Sequence, residues 1–167
     1  MMKILVVSDI HYPDRRETLP ELSEYAKESN LIFALGDFTT AKALKYLKSF
    51  GKQVVAVHGN MDEPALRKSL PKTHVVKIEG LKIGLFHGNG GPPGIEARVR
   101  SAFRKELNAY VFGHSHKATN KIINGALYFN PGALCGRVQT IGFLYIDFEN
   151  IWGKIIKIDK NLLPFDK

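Results

Sequence analysis

Carboxylates, imidazoles and two amides recur along this chain in short polar clusters, each closing an apolar run. They are Asp9 and His11, Gly36-Asp37, Gly59-Asn60, His87-Gly88, His114 and His116, and Asn130-Pro131-Gly132; four of the six histidines lie in them. Asp9 and His11 are two apart, as are His114 and His116, and side chains two apart on an extended backbone point the same way. One such pair means little, because a polar loop after a strand reads the same. Gathered at one place without partners, these groups would repel or leave buried polar atoms unsatisfied. Divalent cations are their natural partners, and oxygen and imidazole donors without thiolate suit Mn, Fe, Ni, Co or Zn over a structural zinc knot. Asp9, His11, Asp37, Asn60, His87, His114 and His116 are too many donors for one ion but suit two that share a carboxylate. Asp37 is the best bridge: each of its oxygens can face one ion, and Gly36 allows close backbone approach. Two such ions bring four positive charges, of which Asp9, Asp37 and a bridging hydroxide remove three. The residual charge would meet an anionic phosphate ester.

The elements that must position these groups follow from the apolar pattern. Ile4-Leu5-Val6-Val7 reads as a strand buried on both faces. A helix over about 19 to 29 follows, with Leu22, Tyr25, Ala26 and Ser29 on one side, then a strand over 31–35. A second helix turns Ala43, Leu44, Leu47 and Phe50 inward and Lys42, Lys45 and Lys48 outward, and stops near Gly51. A third strand covers 54–57. This alternation implies right-handed crossovers and a parallel sheet, with ligands beyond the carboxyl ends of its strands.

The second half changes character. Runs 75–78 and 81–86 flank Glu79-Gly80 as a hairpin, and the Gly/Pro-rich stretch 89–94 reads as a loop over the site. A third helix over about 95 to 107 buries Ile95, Val99, Ala102, Phe103 and Leu107, leaving Arg98, Arg100 and Lys105 as its wet face. A short strand at 110–112, a hairpin at Asn124-Gly125, and runs 140–148 and 152–158 turning at Glu149-Asn150 complete the chain. The expectation is an α/β protein of two packed sheets with helices outside.

Bulk composition narrows the class. The 167 residues suit one domain, 1–167, and 44% hydrophobic with 24% charged residues is ordinary for a soluble globular protein. No apolar run approaches the ~20 residues of a membrane span, and Asp9 and His11 interrupt the first one too early for a signal peptide. Cys135, the lone cysteine, cannot form an internal disulfide, which fits a reducing, cytoplasmic setting. The net charge of +8 favours anionic ligands. Its lysines are dispersed, so a solvated basic surface is a simpler account than nucleic-acid binding.

These clusters together resemble the calcineurin-like metallophosphoesterase superfamily, whose signature runs D-x-H, G-D, G-N-H-[DE], H-G and G-H-x-H. It stands here as Asp9-Ile10-His11, Gly36-Asp37, Gly59-Asn60-Met61-Asp62, His87-Gly88 and Gly113-His114-Ser115-His116, in that order along nearly the whole chain. The short length and Asn130-Pro131-Gly132 are similar to the small prokaryotic phosphodiesterase subgroup. The resemblance implies a four-layer α/β/β/α sandwich of two mixed sheets flanked by helices. It implies one divalent ion on Asp9, His11, Asp37 and His116 and another on Asp37, Asn60, His87 and His114, with Mn²⁺ or Ni²⁺ ahead of Fe, Co or Zn. It also implies hydrolysis of a small phosphoester, most readily a phosphodiester, by a metal-bridging hydroxide, with Asp37, Asn60 and His87 as catalytic residues. Two alternatives remain: a non-catalytic protein-binding module, as in the retromer subunit resembling this family, and a nuclease or cyclic-nucleotide phosphodiesterase.

One departure matters. Met61 stands where many members carry the histidine assigned to the leaving oxygen, and a thioether can neither protonate it nor steady the transition state. His58 is a substitute acid or, more simply, a residue orienting a ligand from behind. Asp62 is expected to turn back onto His11 or the Asn60 loop, Asn130 to fix a strand end, and Ser8 to bond locally. His74 reads as a surface or strand-end residue; Cys135, in a Gly-rich loop close to the site, reads as a small filler ahead of a reactive thiol, while Arg137 suits phosphate contact and solvent equally.

Overall fold

Alternation within the first strand sets the layering. Ile4 and Val6 face a core shared with Ile83, Leu85, Val111 and Phe129, whereas Leu5 and Val7 face a second core with Leu22, Ala26, Leu44 and Leu47. A strand with apolar side chains on both faces must be covered on both. The computed structural model describes residues 1–158, so residues 159–167 of the expected domain lie outside the described residues. The chain runs β1 (Met2–Val7), α1 (Ser23–Lys27), β2 (Leu31–Ala34), α2 (Ala41–Lys48), β3 (Gln53–Ala56) and α3 (Pro64–Ser69). It continues through β4 (Thr73–Ile78), β5 (Leu81–Phe86), α4 (Ile95–Ser101), β6 (Ala109–Phe112) and β7 (Thr119–Ile123). The last described strands are β8 (Ala126–Asn130), β9 (Gln139–Asp147) and β10 (Asn150–Ile158).

Two five-stranded mixed sheets result, ordered β10-β9-β1-β2-β3 and β4-β5-β6-β8-β7. Strands β1, β2 and β3 are parallel in the first, and β5, β6 and β8 are parallel in the second. The helices cover the outer faces: α1, α2 and α3 lie over the first sheet, and α4 packs Ile95 and Val99 with Phe86 and Phe112 of the second. This is the expected four-layer α/β/β/α sandwich. Each large apolar side chain buried between the sheets contributes about 1.5–3 kcal/mol, so this interface holds the strand ends in fixed register.

The differences from expectation lie at element ends. The first helix is shorter than 19 to 29, because the residue before Pro20 is steered away from helical backbone and the Asn30 amide is taken by the Lys3 carbonyl of β1, at 2.8 Å. The helix expected over 95 to 107 is α4 and stops at Ser101; beyond it the Phe103 amide bonds Arg100 only three residues back, and Ala102 is exposed while Phe103 and Leu107 stay buried. The last hairpin turns at Phe148-Glu149 rather than Glu149-Asn150, since Asn150 already pairs with Asp147. Helix α3, which begins at Pro64 and buries only Leu66, has too faint a periodicity to read from sequence.

Candidate metal centre

The loops leaving β1, β2, β5 and β6 bring Asp9, His11, Asp37, His87, His114 and His116 to one edge of the sandwich. Asp9, His11, Asp37, His114 and His116 all sit in left-handed backbone, at φ of 54°, 51°, 50°, 67° and 55°. Such φ values are uncommon outside glycine and cost on the order of 1–3 kcal/mol each unless their surroundings impose them. Here the exit loops impose them on one another. The Asp9 amide donates to the Gly36 carbonyl at 3.1 Å, the His11 amide to the Asp37 carbonyl at 2.9 Å, and the His114 amide to Asp9 Oδ2 at 3.0 Å. Two glycines make this approach possible: a Cβ at Gly59 would overlap the Asp37 carboxylate, and one at Gly113 would overlap the Ser8 side chain.

Both carboxylates are fixed by one oxygen and leave the other facing imidazoles. Asp9 Oδ2 accepts from Ser8 Oγ at 2.6 Å as well as from His114. Its Oδ1 is buried without any hydrogen-bond partner, 3.1 Å from His116 Nε2, 3.7 Å from His11 Nε2 and 4.0 Å from His87 Nε2. Asp37 Oδ1 accepts the Met61 amide at 2.8 Å, while Oδ2 lies 3.2 Å from His87 Nε2 and 3.5 Å from His11 Nε2. The sequence reading had each oxygen of Asp37 facing one ion; the structure commits Oδ1 to a backbone amide and leaves Oδ2 between the two imidazoles.

Outer partners set three of the imidazoles, whereas His11 Nδ1 is buried without one. His87 Nδ1 donates to the Leu35 carbonyl at 2.6 Å, across the two sheets, which leaves Nε2 facing the acids. His114 Nε2 donates to the Gly90 carbonyl at 2.8 Å, leaving Nδ1 3.3 Å from His87 Nε2. His116 and His11 meet Nε2 to Nε2 at 3.3 Å, and Cys135 Sγ lies 3.7 Å from His116 Nδ1. A metal-ligating histidine usually gives its other N–H to such a partner.

The electrostatics match that arrangement. Burial alone would raise the Asp9 carboxyl, yet the His11 and His116 imidazoles beside it, the charge of His87 and the Ser8 hydroxyl hold it well below its usual range. Burial likewise opposes the fall of Asp37, which His87 and the Met61 amide bring about. Burial would depress His87, but Asp37 and Asp9 raise it; His116 is pushed up to about 10, chiefly by Asp9.

These residues fit metal ions. Donors bound to one ion at about 2.0–2.2 Å stand roughly 3.0–3.5 Å apart, the spacing seen for His116 to Asp9, His11 to His116, His11 to Asp37, His87 to Asp37 and His114 to His87. The donors thus fall into two sets that meet at Asp37 Oδ2: Asp9, His11 and His116 on one side, His87 and His114 on the other. The partnerless Asp9 Oδ1 is the sort of buried anion a cation satisfies.

Asn60 is placed differently from the other expected ligands. It is exposed on the loop after β3, beside Met61, and its amide carries no hydrogen bond to another described residue. Asp62 does turn back, though not to His11: it accepts from the Asp37, Gly59 and Thr39 amides at 3.1, 2.7 and 2.9 Å, pinning the β2 and β3 exit loops together. Burial raises its carboxyl despite those amides. Asn130 fixes its strand end, donating to the Gly113 carbonyl at 2.8 Å and accepting from the Gly132 amide at 2.8 Å. The His58 ring bonds the Gly59 carbonyl at 3.2 Å, Ser8 bonds Asp9 locally, and His74 and Arg137 are exposed. The loop after Asn130 signalled that Cys135 lies close to the site, but its contact with His116 was not legible in the sequence.

Residues 2–150 match the model of the calcineurin-like phosphoesterase superfamily domain. A probable metallophosphoesterase of Methanothermobacter thermautotrophicus is 33% identical over 162 residues, covering 93% of this chain and 92% of that protein. Chaetomium thermophilum Vps29 superposes with a TM-score of 0.76 at 21% identity, over 99% of this chain and 98% of its own. An archaeal phosphodiesterase does so at 0.70 and 22% identity, over 93% and 100%. At those identities the two structures are similar in fold.

Proposed function

The chain belongs to the calcineurin-like phosphoesterase superfamily, and from that premise we propose that it is a two-metal phosphodiesterase acting on small phosphoesters. The observation that carries the reading is the pair of donor sets joined at Asp37 Oδ2, with carboxylates and imidazoles and, among the described residues, no lysine or arginine paired to either carboxylate. In this reading Asp9, His11, Asp37 and His116 hold one ion, and Asp37, His87, His114 and Asn60 hold the other. Mn²⁺ or Ni²⁺ are the first choices, with Fe, Co and Zn behind them. When bound, such ions lower the pKa of a water and neutralise charge on phosphate oxygens.

What the chain itself does is position and orient. The Met61 amide and the Asp62 carboxylate hold Asp37 in place, and the Leu35 carbonyl keeps the hydrogen of His87 on Nδ1. Asn60, His116 and Met61 are exposed at the rim, open to an incoming ester. Met61 offers no proton, and the His58 ring is turned to the Gly59 carbonyl, so esters whose leaving groups need no protonation are the best substrates. Metal-stripped protein should hydrolyse an aryl phosphodiester after addition of Mn²⁺ or Ni²⁺, and an alkyl monoester far more slowly. Turnover of neither ester by protein shown to contain metal would overturn the proposal and favour a binding module on the same fold. Cyclic nucleotides and single-stranded DNA, run beside them, separate a nucleotide enzyme from a general one.

A further inference from the structure

The sequence pattern puts Arg98 on the wet face of its helix, yet every nitrogen of its guanidinium is engaged. Nε donates to the Asn89 carbonyl at 2.8 Å, Nη1 to the Pro93 carbonyl at 2.9 Å, and Nη2 to the Gly91 carbonyl. Among the described residues no carboxylate forms an ion pair with it, so its donors serve the loop 89–94. That loop is exposed throughout and carries three glycines, the residue whose ordering costs most conformational entropy. Its own backbone bonds tie down only its end: the Ile95 amide to the Pro92 carbonyl and the Arg98 amide to the Gly94 carbonyl, both at 3.3 Å. Between the carbonyls that Arg98 grips lies Gly90, whose carbonyl accepts from His114 Nε2 at 2.8 Å. Gly90 also packs so closely on Arg98 that a Cβ there would crowd Nε.

We infer that Arg98 is a positioning residue for His114, acting through the loop it clamps. A planar guanidinium donates in a fixed fork, and here that fork fixes three alternate carbonyls of one loop. The clamped loop presents the Gly90 carbonyl, and that acceptor keeps the His114 hydrogen on Nε2. The Nδ1 lone pair is thereby left facing His87 Nε2, which itself stands beside Asp37 Oδ2. His114 needs this more than His87 does, because His87 is buried and held by the Leu35 carbonyl of a strand end, whereas His114 is half-exposed. The tautomer depends only on the loop; its consequence for ion binding rests on the metal-centre reading above.

The test compares wild type, Arg98→Ala and Arg98→Lys by imidazole ¹H–¹⁵N spectra without metal, with His114→Gln to assign the signal. Stepwise Mn²⁺ titration calorimetry and hydrogen exchange over 89–94 complete it. Arg98→Ala should give His114 as a tautomer mixture and speed exchange in the loop. It should weaken one ion-binding step by about 10–100-fold, the usual cost of losing a ligand's outer partner, and leave the other step unchanged. Arg98→Lys, which reaches one carbonyl rather than three, should fall between. An unchanged His114 tautomer in both variants overturns the inference, and so does equal weakening of both steps, which marks a general loss of structure. If Arg98→Ala does not fold, Arg98→Lys against wild type decides it. Wild type that binds no second ion would sink the two-metal reading alone, and the tautomer would still decide the role of Arg98.

Discussion

The two sheets contribute unlike halves to the candidate metal centre. The first supplies Asp9, His11 and Asp37, each at most 3% exposed, and with them both carboxylates. The second supplies imidazoles alone, and they open progressively to solvent: His87 is buried, His114 is half-buried, and the His116 side chain is 33% exposed. The acidic half is held by backbone amides, those of its own exit loops on Asp37 and Asp62 and that of His114, from the second sheet, on Asp9. The imidazole half is held by outer acceptors, two of them carbonyls at Leu35 and Gly90. Charge is therefore set in the rigid half, while ligand direction is set in the softer one. Damage to the first half should abolish the centre, and damage to the second should tune it.

The sharpest contrast is Asp37→Asn against His116→Gln. Asp37 Oδ2 stands near imidazoles of both donor sets, at 3.2 and 3.5 Å, while His116 belongs to one. Asp37→Asn should weaken both ion-binding steps and cut kcat by at least the ~10²–10³-fold that one preorganised electrostatic contact is worth. His116→Gln should weaken only one step. Equal effects in calorimetry and turnover would erase the distinction between the halves. Next in size, Met61→His adds an imidazole at the rim of the acidic half without touching the Met61 amide that holds Asp37. If only the acid is missing, hydrolysis of alkyl esters should rise by about 10²-fold, the lower end of what general acid catalysis contributes, with aryl esters little changed. Asp62→Ala strands three amides, two of them on buried residues. It should cost about 2–4 kcal/mol, read as a fall in Tm of roughly 10 °C. A shift of a degree or less would show that the acidic half does not need that clamp.

The same contrast explains what the sequence revealed. Runs such as Ile4 to Val7 and Leu31 to Ala34 are legible because both faces of each strand are buried, and the polar residues that close them are legible as ligands because little else explains them. Helix ends were misjudged where a distant strand claims an amide, as Lys3 claims that of Asn30. The contacts of Arg98 and Cys135 were beyond reach for a related reason. Arg98 sits at helical spacing with other cations, and only the folded loop offers it carbonyls. Cys135 meets His116 because the Leu134 amide docks on the Ser8 and Asp9 carbonyls, both at 3.2 Å and more than a hundred residues away in sequence. Local pattern finds the groups that do chemistry; it does not find those that aim them.

The smallest predicted effect concerns the metal-stripped protein, where the two halves must satisfy each other. His116 is raised from 6.5 to about 10 by Asp9, so between those values it is protonated when folded and neutral when unfolded. Folding takes up a proton in that window, and the stabilisation is full below pH 6.5 and lost as pH climbs to about 10. Asp9 is lowered from 3.8, so its contribution is present above that value and lost as pH falls below it. Stripped protein should therefore show a lower Tm near pH 9 than near pH 6, by a few degrees at most since His116 is part-exposed. In protein loaded with Mn²⁺ the ion replaces that proton, so the alkaline decline should vanish, while ion affinity rises with pH as fewer protons must be displaced. A stripped protein whose Tm is flat from pH 6 to 9 would mean that Asp9 and His116 do not stabilise one another without an ion. The acidic half would then be costly to fold alone, and the centre would depend on metal for its assembly as well as its chemistry.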